Sequence, residues 1–393
     1  MSVSVSQRVQ RVKPSPTMAI TALAAELRAQ GKDIIGLGAG EPDFDTPAHI
    51  KAAGIAAIEA GLTKYTAVDG TVELREAIAD KFRRDNGLTY AKDQILVSSG
   101  AKQSCYNVCI AVLNQGDEAI VPAPYWVSYP DMIKLAEAEP VIIPASISDG
   151  FKITPKALEA AITDKTRMMF LNSPSNPTGA AYTADELQGL GEVLSRHPDI
   201  VIAADDMYEH IYWGEEPFTS FAAACPQLAD RTITINGVSK CYAMTGWRIG
   251  YAGGPTALIK AMKKVQSQST SNPCSISQAA SLAALTGDQS CIAQMLTAFK
   301  ERHDYLVGAL NEIPGFDCLP GAGTFYAFPN VSGAIQAHGL ADDAALTELL
   351  LNEAGVAVVP GSAFGAPGYI RLSFACSLDT LKEAVARIRK AVS

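Results

Sequence analysis

Lys240 and Arg248 lie eight positions apart in the stretch 239–251, between two runs with the character of strands, 232–235 and 249–253. A lysine flanked by apolar strands, glycine, serine and aromatic residues is not placed as a solvated surface charge. Removal from water disfavours the ammonium form, and the neutral amine is a nucleophile toward aldehydes. An arginine held nearby presents a planar fork suited to phosphate. An aldehyde and a phosphate occur together in pyridoxal 5'-phosphate, so the pair predicts that cofactor.

That cofactor makes further demands. Its ring nitrogen calls for a carboxylate, and the apolar run 200–204 ends on two, Asp205 and Asp206. Its phosphate calls for N–H donors, which Ser99, Gly100 and Ala101 offer at the start of a helix. A substrate carboxylate calls for a cation. Arg371 stands in mid-strand in 370–373, where an unpaired charge is costly to bury. Lys102 falls in the first turn of a helix, where the macrodipole disfavours a cation, so another reason for it is expected, with a merely solvated side chain as the alternative. The glycines of 38–44 suggest a dinucleotide loop at first sight. Such a loop must open a helix, and Pro42 followed by Asp43, Phe44 and Asp45 does not. Glycines also serve where backbone approaches a ligand closely.

The elements that must position these residues alternate. A helix is expected over 21–30 and a strand over 33–37. Thr46 is expected to cap a helix with Pro47 in its first turn, and Thr71 another that runs to Asn86 and stops at Gly87. Strands are expected at 94–97, 117–121, 141–144, 167–171 and 200–204. A helix is expected over 101–114, and 122–129 breaks away as irregular chain. Thr154 with Pro155 opens a helix, and Thr183 with Glu186 forms a capping box. The continuous apolar character of 200–204 fits a buried parallel strand. The alternation predicts α/β layers on a largely parallel sheet. After Gly254 helices dominate to 312, with the helix 288–312 as connector. Strands at 323–328, 355–360 and 369–374, with helices at 341–354 and 378–391, predict a smaller α+β domain. The expected division is 1–47 as a segment joining the small domain, 48–295 as the large domain, and 296–393 as the small one.

The 393 residues suffice for two domains. A net charge of −9 argues against nucleic acid or an anionic membrane as partner. No apolar run spans a bilayer, and the first eight residues lack the apolar core of a signal peptide. The eight cysteines are scattered without a CxxC, which predicts reduced thiols in a cytoplasm. The five histidines form no HExxH, so no metal is expected.

From position 13 to the C-terminus the motifs resemble, in order, those of class I aminotransferases of fold type I. They are most similar to the bacterial aspartate aminotransferase subgroup, with Gly40-Glu41-Pro42-Asp43-Phe44 and Tyr125-Trp126-Val127-Ser128-Tyr129. The resemblance implies a large domain with a mostly parallel sheet plus a smaller α+β domain. It makes Lys240 the cofactor-bearing lysine and proton carrier, and puts Asp205 on the ring nitrogen. It implies that Tyr208 bonds the ring oxygen O3' and that Trp126 stacks on the ring. Ser239 and Arg248 would complete the phosphate cradle. At Ala101, where the family often has a hydroxyl, the chain would lean on its backbone N–H. Tyr65 would reach the phosphate of a neighbouring subunit, which implies a homodimer with shared sites. Asn176, in 173–179, would contact O3' and the substrate carboxylate. Arg371 would grip that carboxylate, with help from the N–H of Gly40. Lys102, Ser15 and Thr17 would meet the distal part of the substrate, or a partner's loop 269–272 would. Implied is transamination between aspartate and 2-oxoglutarate. Prephenate, aromatic and neutral amino acids are the alternatives, with a C–S lyase or decarboxylase of the same fold further off. A cofactor-binding regulator would need an added DNA-binding module and a basic patch, and neither is expected from this sequence.

Overall fold

The computed structural model describes residues 4–393; the first three residues of the N-terminal segment lie outside the described part. In chain order the strands are β1 (Ile35–Gly36), β2 (Ile95–Ser98), β3 (Glu118–Ala123), β4 (Glu139–Pro144), β5 (Thr166–Asn172), β6 (Val201–Asp205), β7 (Thr232–Gly237), β8 (Gly250–Gly253), β9 (Tyr326–Ala327), β10 (Val356–Ala357), β11 (Val359–Pro360) and β12 (Ile370–Ser373).

Seven of these form the central sheet, in the order β2-β8-β7-β6-β5-β3-β4. Strands β3 to β7 pair parallel, and β8 runs antiparallel between β2 and β7. Every residue of β2, β7 and β8 is buried, β7 included although its sequence alternates threonine with isoleucine. Helices Ala101–Val112 and Thr256–Ser267 pack together on one face. Helix Ala184–Ser195 closes the other, and its Thr183–Glu186 capping box is formed. Lys240 follows the C-terminal end of β7, and Asp205 is the last residue of β6. Both stand at the carboxyl edge, where parallel sheets of this kind gather ligands.

The C-terminal part holds a three-stranded sheet, β11-β12-β9, flanked by helices Asp343–Glu353 and Leu378–Ala391. Strand β1 pairs parallel with β10, so the chain's beginning packs against its end. The Arg387–Asp33 and Arg302–Asp43 ion pairs join the same parts. The 22-residue helix Ser290–Asn311 lies where a long connector is expected. Among the described residues no helix is long and apolar enough to cross a membrane.

Three local expectations are corrected. Thr46 caps nothing: Pro47 is the N-cap of Ala48–Glu59. The Thr46 hydroxyl instead donates to the Ala243 carbonyl (2.6 Å) and accepts from the Trp247 indole (3.0 Å), so it is spent on the loop that carries Lys240. The first long helix begins at Pro16 rather than at 21, because Ser15 caps it and proline is tolerated at the first helical position. The stretch 122–129, read as irregular, runs into a helix, Tyr129–Leu135, hidden in the sequence by the proline in its first turn.

Candidate active site

One cavity of about 490 Å³ opens at the carboxyl edge of the sheet. It brings together Ser15, Thr17, Gly40, Ala101, Lys102, Trp126, Asn176, Asp205, Tyr208, Ser239, Lys240, Arg248 and Arg371, residues spread over the whole chain. Four cations line it against two carboxylates, Glu41 and Asp205. A chain with a net charge of −9 thus surrounds one strongly basic hollow, which suits a ligand carrying more than one negative charge.

Lys240 is held by its loop rather than by a helix. Ala243 (φ +49°) and Arg248 (φ +56°) adopt left-handed backbone, at a cost of roughly 1–3 kcal/mol each for residues with a Cβ. The two bonds of Thr46 help to fix that strained shape. The Lys240 amine donates to the Gly40 carbonyl at 2.5 Å and stands 5.6 Å from the Phe325 ring. Burial, then the charges of Arg371 and Arg248, bring its pKa down to about 8. About a tenth of the amine is therefore neutral at pH 7, far more than for an ordinary lysine, and the neutral form is the nucleophile.

Asp205 forms the polar floor. Its carboxylate accepts from the Tyr129 hydroxyl (2.6 Å) and the Met207 N–H (3.2 Å), and Cys105 Sγ lies 3.9 Å away. Burial raises its pKa, and the Tyr129 hydrogen bond opposes the rise. Asp206 does not line the cavity. Burial first and Glu209 second push its pKa well up, and its Oδ2 has no partner among the described residues. Glu209 is itself bonded to the buried Lys81 and to Asn86. Only one of the two neighbouring carboxylates therefore faces the cavity.

At the opposite wall the Arg371 guanidinium is buried without a carboxylate partner. It donates to Asn176 Oδ1 (3.0 Å) and to the Gly38 carbonyl (2.7 Å), and its Nε has no partner among the described residues. A buried cation left in this state needs an anion. Lys102 is exposed by surface area, its ammonium 4.9 Å from the Trp126 ring. Partial desolvation and then Arg248 lower its pKa.

Of the residues expected to hold a phosphate, three reach the cavity and two do not. Ala101, Ser239 and Arg248 line the cavity; Ser99 and Gly100 do not. The Ser99 N–H donates to the Gln103 side chain (2.6 Å) and the Gly100 N–H to the Ser98 carbonyl (2.8 Å), so neither is free. Gly100 serves instead by having no side chain: a Cβ there would meet Arg248 Nη2 at 2.3 Å. Ser15 lines the hollow while its hydroxyl accepts from the Met18 N–H (3.5 Å) as a helix cap. Tyr65 is 92% exposed and lies outside its own chain's cavity.

The family model for aminotransferase class I and II matches residues 32–388. The chain belongs to the class I and II aminotransferases. Among members of this family, it is 57% identical to the aspartate/prephenate aminotransferase of Nitrosomonas europaea over 397 residues, covering 100% of both chains. Its structure superposes on the aspartate aminotransferase of Rhizobium meliloti with a TM-score of 0.95 at 49% identity, covering 100% of this chain and 99% of that one. It superposes on the Thermus thermophilus aspartate aminotransferase with maleate at a TM-score of 0.94 and 42% identity, covering 99% and 100%.

Sequence reasoning missed two tyrosines of this aminotransferase site. Tyr129 was visible as the end of the motif 125–129, but its bond to Asp205 depends on the unforeseen helix. Tyr326, on β9, bonds Tyr208 at 2.9 Å and lies under Arg371. Nothing in a short aromatic strand marks it as part of a site.

Proposed function

We propose that the chain is a pyridoxal-phosphate-dependent aminotransferase exchanging the amino group of aspartate with 2-oxoglutarate. The observation that carries this reading is the basic cavity in which Lys240 is buried with its pKa lowered to about 8, with one buried arginine lacking a carboxylate partner and one buried carboxylate on its walls. The residues fit the cofactor. The Ala101 N–H, Ser239 and Arg248 would hold its phosphate, and Gly100 leaves the room that Arg248 needs. Asp205 would keep its ring nitrogen protonated. Trp126, Asn176 and Tyr208 would orient its ring. When bound, the cofactor supplies an aldehyde and an electron-withdrawing ring.

Lys240 would then have two tasks in turn. Its neutral amine would hold the cofactor's aldehyde, and when free the same amine would move the proton at the substrate Cα. Arg371 and the Gly40 N–H fix the α-carboxylate so that this Cα faces the lysine. Lys102, beside Ser15 and Thr17, is the remaining cation for a second carboxylate. Relatives named for aspartate and for prephenate both support an acidic substrate, and prephenate, also a dicarboxylate, is the second reading.

The active unit is proposed to be a homodimer. Tyr65 protrudes beside the exposed apolar residues Ile55, Ile58 and Leu62, a surface suited to covering by a second copy. There Tyr65 would serve the partner's cavity. The N-terminal segment is proposed to belong with 296–393 as the smaller domain, on the β1–β10 pairing. Eight free cysteines support a reducing, cytoplasmic setting.

Amino acid supplied alone tests the reaction. A transaminase releases one equivalent of oxo acid per site and stops until 2-oxoglutarate is added. Continued release without an acceptor would mark a lyase and overturn the proposal. An amino-acid panel against 2-oxoglutarate, ranked by kcat/KM, tests the preference.

A further inference from the structure

The hydroxyls of Tyr208 and Tyr326 lie 2.9 Å apart, and both residues are buried. Tyr208 follows β6; Tyr326 stands on β9, paired with Ser373 of the strand that carries Arg371. Tyr326 is tightly seated. The Arg371 guanidinium lies 4.3 Å over its ring, and a Cβ on Gly40 would meet its hydroxyl at 2.9 Å. Two hydroxyls in one hydrogen bond spend one proton between them and turn the other outward, so the donor's identity decides which residue offers a proton to the cavity. A cation against a phenol ring stabilises negative charge on its oxygen and makes the hydroxyl the better donor. Arg371 stands 4.3 Å from the Tyr326 ring, nearer than Lys240 to the Tyr208 ring at 5.8 Å, so Tyr326 is the better donor of the pair.

We propose that Tyr326 is a positioning residue: it donates to the Tyr208 oxygen, turns the Tyr208 proton into the cavity, and links that proton to Arg371. The inference rests on the cofactor-dependent reading above. A hydroxyl that accepts a hydrogen bond becomes a stronger donor itself. Tyr326 thus strengthens Tyr208 toward a phenolate-like oxygen bound in front of it. A carboxylate on Arg371 neutralises the guanidinium and relaxes the chain of bonds. The grip on substrate and the donor strength of Tyr208 are then coupled through one hydroxyl.

The test uses the purified, cofactor-loaded enzyme and reads the pH midpoint of its visible absorbance change. Deprotonating the cofactor's link to Lys240 places the most negative charge on the cofactor's phenolic oxygen. A strong donor at Tyr208 favours that form and lowers the midpoint. Tyr326→Phe keeps the ring under Arg371 and should raise the midpoint by roughly half a pH unit, about a threefold change in proton affinity. Tyr208→Phe should raise it further, and Tyr208→Phe/Tyr326→Phe should equal Tyr208→Phe alone. Replacing Tyr326 by 3-fluorotyrosine, a more acidic donor of nearly the same size, should lower the midpoint. Maleate should bind Tyr326→Phe within about twofold of wild type, because a ring still backs Arg371. Unmoved midpoints in the phenylalanine and fluorotyrosine proteins, or additive shifts in the double variant, would overturn the inference. A wild type that forms no visible band with the cofactor would instead overturn the reading beneath it.

Discussion

The Tyr129 hydroxyl donates to Asp205 Oδ2 at 2.6 Å across the buried floor of the cavity. Its ring is wedged between Phe170, stacked at 4.3 Å, and Trp126, edge-on at 5.2 Å, so the hydroxyl has little freedom to point elsewhere. The bond opposes the burial that drives Asp205 toward its neutral form. A hydrogen bond to a charged acceptor contributes about 1.5–3 kcal/mol. Tyr129→Phe should therefore cost about tenfold or more in kcat/KM, with the packing intact. Asp205→Ala should lose most activity and regain part of it with N-methylated cofactor, whose ring charge is permanent. Asp206→Asn should change kcat/KM by less than about twofold, since Asp206 faces away. Equal losses at 205 and 206 would count against the assignment.

The amine of Lys240 should titrate early. Its pKa of about 8 lies below the ordinary lysine value because burial, Arg371 and Arg248 all disfavour the ammonium. The nucleophile is the deprotonated form, so capture of the cofactor aldehyde by the apo-enzyme should accelerate as pH rises and level off above about 8. Stopped-flow absorbance measures it. A rate still climbing tenfold per pH unit at pH 10 would indicate an ordinary lysine.

Lys102 should decide between acidic and neutral substrates. Lys102→Met should lower kcat/KM for aspartate by roughly ten- to a hundredfold, from the loss of one charge-assisted hydrogen bond, and much less for alanine or phenylalanine. Equal losses would give Lys102 a role toward the cofactor or the fold. No loss would place the distal carboxylate elsewhere, with the partner's loop 269–272 next in line.

Tyr65 should act across subunits. Tyr65→Ala and Lys240→Ala homodimers should both be impaired. Heterodimers formed from them contain one site with both residues intact and should recover activity. Verified heterodimers without recovery would return Tyr65 to its own subunit.

Much of the fold was legible because its signals are local. Thr71, Gly87 and the Thr183 capping box mark helix ends through bonds within a few residues, and β6 carries an unbroken apolar run up to Asp205. The cavity residues with a distinctive chemical cost, Lys240, Asp205 and Arg371, could also be singled out, since a charge beside apolar chain needs a reason. Illegible were the contacts made only in three dimensions. Thr46 has the sequence of a cap but is claimed by Ala243 and Trp247 from about 200 positions away. Ser99 sits at a helix start, yet Gln103 folds back and takes its N–H. Tyr129 and Tyr326 look like core aromatics, and only the meeting of β6, β9 and helix Tyr129–Leu135 aims their hydroxyls at functional groups.

The central claim is that Lys240 carries the cofactor. Borohydride reduction of the loaded enzyme, followed by digestion and mass spectrometry, should find the reduced pyridoxal phosphate adduct on Lys240, and Lys240→Ala should yield no stoichiometric adduct. Stoichiometric labelling of Lys102 or of any other lysine in the wild type would contradict the account.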